Sequence, residues 1–535
     1  MSKAARIKIL YTKLYSKFFL LFFILSAKSI FLPGVVAWSA PLTISSAGVD
    51  ASSPQVVVDQ QNNATAIWIE NGFIRTSNLT FNGSWSLPTT ISGSTASLPK
   101  LKVDGSGNVT ALWLENGIVT SASQVSQGAW TTEVAISDAG GGATMPQMCM
   151  DSSGNAVAVW VRNGVIESAT RSLGAWGSVS TISSANSDYP QVAISENGTV
   201  IAVWHSVVSN ADVIVSDTKS ISGSWNSAKN VFSGTAALKH NYPQVAIDSQ
   251  GNAVLLWFRY NLINNAYQNV TLLTSSLNQN STNWTIPAFL SNPGIRNPAD
   301  LFIKIQFDPN DNAVAIWNNS YDNQTFSIET SAKLSGMSWQ LFQTLTISTY
   351  SQLGDLSIDS LGNALAVYMN WDGNNIQLQS QEGNIENPVK SFWISGNSLT
   401  SRSNNTSPSC SINLNGNSAY ATAVWMSFDG ANTIIQASTG SETVIQPPTG
   451  LNITQNSINF GFYKDYYNTL TWQPSPSQNI QQYNVYRNGI FFTSTNTNSL
   501  QVVDHNASQN GPVTYGVAAE DVNYLQSLMA TVTFP

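Results

Sequence analysis

Apolar and polar positions along this chain recur in blocks. Pro54-Gln-Val-Val-Val-Asp59 leads through a turn into Asn63-Ala-Thr-Ala-Ile-Trp68. The block returns as Pro99 to Trp113, Pro146 to Trp160, Pro190 to Trp204 and Pro243 to Trp257, then as Asp308 to Trp317, Asp359 to Tyr368 and Pro408 to Trp425. Its first strand is apolar on both faces, as a strand buried between neighbours must be. In the turn Asp-x-x-Gly-Asn, Asp accepts backbone N–H groups and Gly is free to adopt positive φ. Asn71-Gly72, Asn116-Gly117 and Asn163-Gly164 then predict two-residue hairpins in the first three copies. A second motif, Trp followed by a segment ending near Ile-Ser, starts at Trp38, Trp85, Trp130, Trp176, Trp225, Trp284, Trp339 and Trp393. The two slots absorb fifteen of the 17 tryptophans, which makes Trp an architectural residue here; Trp371 and Trp472 fall outside them.

Each copy reads as four short strands, the size of one propeller blade. The chain opens with a fourth strand, Trp38 to Ser45, while the last copy, Pro408 to Gly440, lacks one. The fold expected is therefore all-β: an eight-bladed β-propeller over residues 38–446, closed by the N-terminal strand, which would remove the exposed sheet edge. An open solenoid is the competing arrangement.

From Pro447-Pro448 to Pro535 the pattern changes. Leu470-Thr-Trp472-Gln-Pro474, Ile480-Gln-Gln-Tyr483-Asn-Val-Tyr486-Arg-Asn-Gly489 and Tyr515-Gly-Val517-Ala-Ala519-Glu-Asp521 resemble a fibronectin type III domain. The resemblance implies a β-sandwich over 447–535 with Trp472 packed between its sheets. The aromatic stretch Phe460 to Tyr467 departs from that family's pattern, as a binding tip or a packing surface.

Residues 1–37 differ again. Lys3, Arg6, Lys8, Lys13 and Lys17 precede the apolar run Phe18 to Ala27, the layout of a secretory signal peptide. Cleavage after Ala37 or Ser29 and retention as an anchor are the alternatives. The expected location is secreted, periplasmic or cell-surface, with no membrane span after cleavage. Only 10% of residues are charged and the net charge is −8, which argues against nucleic acid as a partner. Cys149 and Cys410 are the two cysteines. They fall in first strands of the third and eighth copies, too far apart in a ring to be bridged.

No catalytic set stands out, and no enzyme activity, cofactor or metal is expected. The repeated turn is similar to the Asp-box of sialidases but differently spaced. Arg75, Arg162, Arg171, Arg259, Arg296 and Arg402 do not form the arginine pattern that family needs. The repeated Asp residues each bring one carboxylate per turn, short of the six to eight oxygens calcium takes. Loops after the second strand are minimal in the first three copies and longer later, where they gain aromatics. Arg259, Tyr260, Tyr267, Tyr321, Asp322, Trp371, Asp372, Phe428 and Asp429 are the candidate ligand contacts. The function expected is an exported, monomeric, non-enzymatic recognition protein binding a surface glycan or protein through one propeller face. A sialidase-like glycoside-acting enzyme is the alternative.

Overall fold

The computed structural model describes residues 37–534 except 236, 264–265, 280, 282, 296–301, 323, 360–361, 385–392, 394–396, 400–405, 416–417, 442–444, 478, 506–511, 522–526 and 528. The expected signal segment, Ala37 apart, lies outside the described residues, as do Arg296 and Arg402. One compact unit covers Val35–Glu442 and another takes in Thr443–Pro535.

In the first unit each copy of the repeat makes its own antiparallel sheet, its strands in chain order. Sheets 1 to 8 begin with the strands Ala51–Val58, Ala96–Val103, Ala143–Met150, Ser187–Ile194, Leu238–Ile247, Ile303–Phe307, Ser351–Ile358 and Thr406–Asn415. The Asp turn is built as its composition demands. Asp59 Oδ1 accepts the N–H groups of Gln61 (2.9 Å) and Asn63 (2.8 Å), and Oδ2 accepts the Asn63 amide at 2.9 Å. The same bonds from the Asn recur at Asp104, Asp151, Asp248, Asp308 and Asp359. Asn71 and Gly72 both take positive φ (52° and 78°), the geometry of a two-residue hairpin turn.

The second strands hold the tryptophans. Trp68, Trp113, Trp160, Trp257, Trp317 and Trp425 are fully buried, each packed with residues of the preceding sheet. Trp113 joins Ile67 and Ile74 of sheet 1, Trp160 joins Leu112 and Val119 of sheet 2, and Trp68 joins Val424 and Ile435 of sheet 8. A buried indole N–H needs an acceptor. Glu70, Glu115, Glu167 and Glu329 accept from Trp68, Trp113, Trp160 and Trp317 at 2.8–3.1 Å. Four carboxylates are thereby tied to packing.

The expectation of a closed propeller is corrected. Among the described residues strands pair only within ten separate antiparallel sheets of three to five strands, and no sheet is closed. The N-terminal segment adds to the outer edge of sheet 8, with Trp38 opposite Gly440 and Leu42 opposite Ala437, and strand pairing ends there. The fourth segments are also shorter than predicted. In sheet 1 only Thr89–Thr90 forms a strand, with a lone bridge from Leu79 to Trp85 before it. Pro88 lies between the two and has no N–H to donate.

The second unit has a three-stranded sheet (Thr449–Asn459, Lys464–Gln473, Gln501–His505) and a four-stranded one (Ile490–Asn496, Ile480–Arg487, Val513–Asp521, Ala530–Phe534). Leu470, Trp472, Tyr483, Val485, Tyr515 and Val517 form their shared core, and Trp472 meets Tyr483 edge-on at 5.8 Å. Phe460, Phe462 and Tyr463 stand exposed at the hairpin after Asn459.

Candidate functional site

The site arises from a defect that the repeat places in its first strands. In sheet 1, Ser52 pairs with Ile69 and Gln55 with Ile67, so Ser53 and Pro54 together oppose Trp68. The same bulge precedes the proline of sheets 2 to 5. Proline cannot donate to the ladder, and a bulge accommodates it while re-aiming a neighbouring side chain. The residue before it takes φ near +50° throughout: Ser53, Leu98, Met145, Tyr189 and Tyr242. A non-glycine residue held there costs roughly 1 kcal/mol or more.

In sheets 4 and 5 the strained residue is a tyrosine. Tyr189 and Tyr242 meet with ring centroids 4.6 Å apart, so bulges of neighbouring sheets deliver their side chains to one place. Tyr260 and Tyr267, from the second and third strands of sheet 5, pack 5.4 Å apart and lie with Tyr242 on the same cluster. Burial, with the charges of Asp212 and the neighbouring tyrosines, raises the Tyr260 hydroxyl to about 12. Tyr242 is raised further, by burial and its bond to Tyr189. Both remain neutral hydrogen-bond donors at physiological pH.

Beside the tyrosines lies a buried ion network. Asp188 sits opposite His205 in the strand register, and its Oδ1 is 2.6 Å from His205 Nδ1. His205 Nε2 is 3.3 Å from Asp212 Oδ1, whose other oxygen is 3.4 Å from Lys239 Nζ. Burial alone would lower the His205 pKa. The bonds and charges of Asp188 and Asp212 outweigh it and raise the value to about 9. The carboxyl of Asp212 is held low, since His205 and Lys239 overcome its own burial. His205 is therefore a fixed cation clamped between two carboxylates, and the Asp188 side chain is 41% exposed. His240 has another job: its Nδ1 accepts the Trp257 indole N–H at 2.9 Å, and burial lowers it to about 4.

Of the residues singled out from sequence, the structure brings Arg259, Tyr260 and Tyr267 together on sheet 5. Arg259 lies 4.4 Å over the Phe289 ring. The rest are spread over sheets 6 to 8. Tyr321 donates to Glu329 Oε1 at 2.6 Å. Asp322 accepts from the N–H groups of Gln324 and Thr325, Asp372 from those of Asn374 and Asn375, and Asp429 from those of Ala431 and Asn432. These three carboxylates cap their own turns. Trp371 is half-buried at a strand end, its N–H on Tyr350 O, and Phe428 is exposed. Sequence reasoning missed Asp188, Tyr189, His205, Asp212 and Tyr242. The available signal was the residue pair before the repeat's proline, Asp188-Tyr189 in one copy and Asn241-Tyr242 in the next.

A groove of about 640 Å³ between sheets 2 and 3 is lined by Arg171, Trp176 and Asp104 among others. Its charges are already engaged. Arg171 donates to Gly154 O and Ser123 Oγ, and Asp104 caps its turn. Both cysteines are buried and free, and burial raises the Cys149 thiol to about 12. Among the described residues no helix is long and apolar enough to cross a membrane.

No family model matches the chain, and no curated protein matches it. The resemblances to sialidases and to fibronectin type III domains thus lead to no family assignment. Among solved structures, the polysaccharide lyase Uly1 is similar over 73% of this chain and 89% of its own, at 10% identity and a TM-score of 0.40. A prolyl endopeptidase is similar over 70% of this chain at 9% identity and a TM-score of 0.38, and the match spans 54% of the endopeptidase. A Dyadobacter fermentans protein of unknown function matches over 77% of this chain at 10% identity and a TM-score of 0.34. Likeness at this level assigns neither fold nor chemistry. The expected binding face of a closed propeller is withdrawn together with the closure. The sialidase-like alternative is withdrawn as well, because the described arginines of the first unit are each engaged locally. Arg75 pairs with Glu70 and Arg162 with Asp138, while Arg171 bridges strands and Arg259 covers Phe289.

Proposed function

We propose that the protein is an exported binding protein without catalytic chemistry of its own, taking a hydroxyl-rich ligand, a glycan, on sheets 4 and 5. Export follows from the basic and apolar layout of residues 1–37. One observation carries the site: Tyr189, Tyr242, Tyr260 and Tyr267 gather beside the half-exposed carboxylate of Asp188. Tyrosine rings offer flat apolar faces to sugar C–H groups and a hydroxyl at the rim. Asp188 accepts from sugar hydroxyls, and the His205 cation fixes its position.

The same network speaks against hydrolysis. Glycoside cleavage requires a carboxylic acid with a raised pKa beside an ionised partner. Here His205 and Lys239 hold Asp212 ionised, and the His205 proton stays bound up to about pH 9. The test is a glycan array followed by titration of the best hit with the wild-type chain, Tyr260→Ala and Asp188→Asn. Both variants should weaken binding by on the order of tenfold, a change of about 1.4 kcal/mol. Undiminished binding by both, or a blank array beside saturable binding to a surface protein, would remove the glycan reading.

A further inference from the structure

In three places one hydrogen bond ties a sheet to the next through the same repeat position. The residue just after the one opposite the repeat's Trp, or its replacement Tyr368, is Ser216 in sheet 4, Thr274 in sheet 5 and Ser380 in sheet 7. Each hydroxyl accepts the indole N–H of a tryptophan from the next sheet's outer segment: Trp284 at 2.9 Å, Trp339 at 3.2 Å and Trp38 at 2.9 Å. The same position in sheet 3 is Ser168, and the tryptophan due to reach it is Trp225 of sheet 4. That bond is not made. Ser168 is 2% exposed, and its Oγ has no hydrogen-bond partner among the described residues, an uncommon state for a buried hydroxyl.

Lys219, near the end of the third strand of sheet 4, occupies the gap instead. Its ammonium lies 5.5 Å over the Trp225 ring and donates across to Thr170 Oγ1 of sheet 3. The residue is 7% exposed, and no carboxylate pairs with it among the described residues. Burial lowers its pKa, and the group that opposes this is the Cys149 thiol, itself raised to about 12 and so neutral. An ammonium has three N–H donors, and Thr170 takes one. A buried charge left without a counter-charge is costly. Beside Lys219 a groove of about 420 Å³ runs between sheets 3 and 4, a size within the roughly 300–1,000 Å³ of small-molecule sites. Ser168 and Trp225 line it with the hydroxyls of Ser178, Ser180, Ser222 and Ser224, and no described carboxylate does.

We infer that this groove binds a carboxylated sugar, a uronic acid unit, with its carboxylate on the Lys219 ammonium, at a site separate from the tyrosine cluster. One unpaired ammonium calls for one negative charge, and a charge-assisted bond to a carboxylate is the strong kind. The serine hydroxyls match the sugar's own hydroxyls, and the half-buried Trp225 ring adds apolar surface beside them.

The test is calorimetric titration of the full chain with sodium glucuronate, against glucose and sodium acetate at equal ionic strength. Wild type should bind glucuronate saturably, and glucose and acetate each at least about tenfold more weakly, since one lacks the charge and the other the hydroxyls. Lys219→Gln uses the residue that the repeat carries at this position in sheet 2, Gln124, so its fold should be kept. It should weaken glucuronate at least about tenfold and leave glucose unchanged. If that variant does not fold, Ser178→Trp fills the groove from an exposed position and should cause the same loss. Tyr260→Ala should leave glucuronate binding intact, whatever it does to the glycan titration of the tyrosine cluster. No saturable glucuronate binding, equal binding of glucose or acetate, equal binding by a folded groove variant, or loss in Tyr260→Ala overturns the inference.

Discussion

The two ends of the first strands behave differently. At the turn end, sheets 1, 2, 3, 5, 6 and 7 present an Asp whose oxygens are both committed to its own turn. At the bulge end the backbone is equally regular from sheet 1 to sheet 5, but the side chain delivered changes from Ser53, Leu98 and Met145 to Tyr189 and Tyr242. Where residue and geometry both repeat, the role is structural. Where the geometry repeats and the residue departs, the fold is a holder and the side chain is free to serve a ligand.

The sharpest way to break this comparison is to cut into a repeat position. Trp160 is fully buried and donates to Glu167. Trp160→Ala should cost about 3–5 kcal/mol, the range for a buried Trp, and collapse the melting temperature. If Tyr260→Ala destabilises as much, the tyrosine cluster is core and the distinction fails.

The ion network gives the next largest effect. The His205 pKa is raised from its ordinary 6.5 to about 9. Its contribution is therefore fully present below about pH 6.5 and is lost as pH rises through about 9. His205→Gln should remove on the order of 2 kcal/mol at pH 6 and flatten the fall in stability between pH 6.5 and 9. A variant that keeps the wild-type slope in denaturant melts across that window would show that His205 is not the clamped cation.

A smaller effect is expected at the turn. Asp151→Ala leaves the Asn155 N–H and amide without their acceptor, at a cost of about 1–2 kcal/mol. Glycan binding should be untouched, and a loss of binding with stability retained would relocate the site to the turn end. The smallest effect belongs to Trp371. It is half-buried at a strand end on sheet 7, and Trp371→Ala should change the melting temperature by a few degrees and leave glycan titrations unaltered.

Much of the local structure was legible in the chain alone. The Asp turns and the Asn-Gly hairpins follow from residues that act on their own neighbours, so their geometry is fixed within a few positions, while the buried tryptophans were legible from their repetition. The proline in the first strands of sheets 1 to 5 and 8 was legible too, as a residue unable to donate to a ladder, although the bulge around it went unread. Closure was not legible. The missing fourth strand of the last copy did mark the edge that the N-terminal segment joins, but among the described residues strand pairing stops at that edge of sheet 8 and no sheet closes. The candidate sites lay further still from the sequence. Asp188 and Asp212 are 24 residues apart and become partners only because antiparallel pairing folds both toward His205. A side chain's charge and shape are properties of its residue type, but its partners are set by register and by sheet-on-sheet packing. Those depend on the whole assembled core.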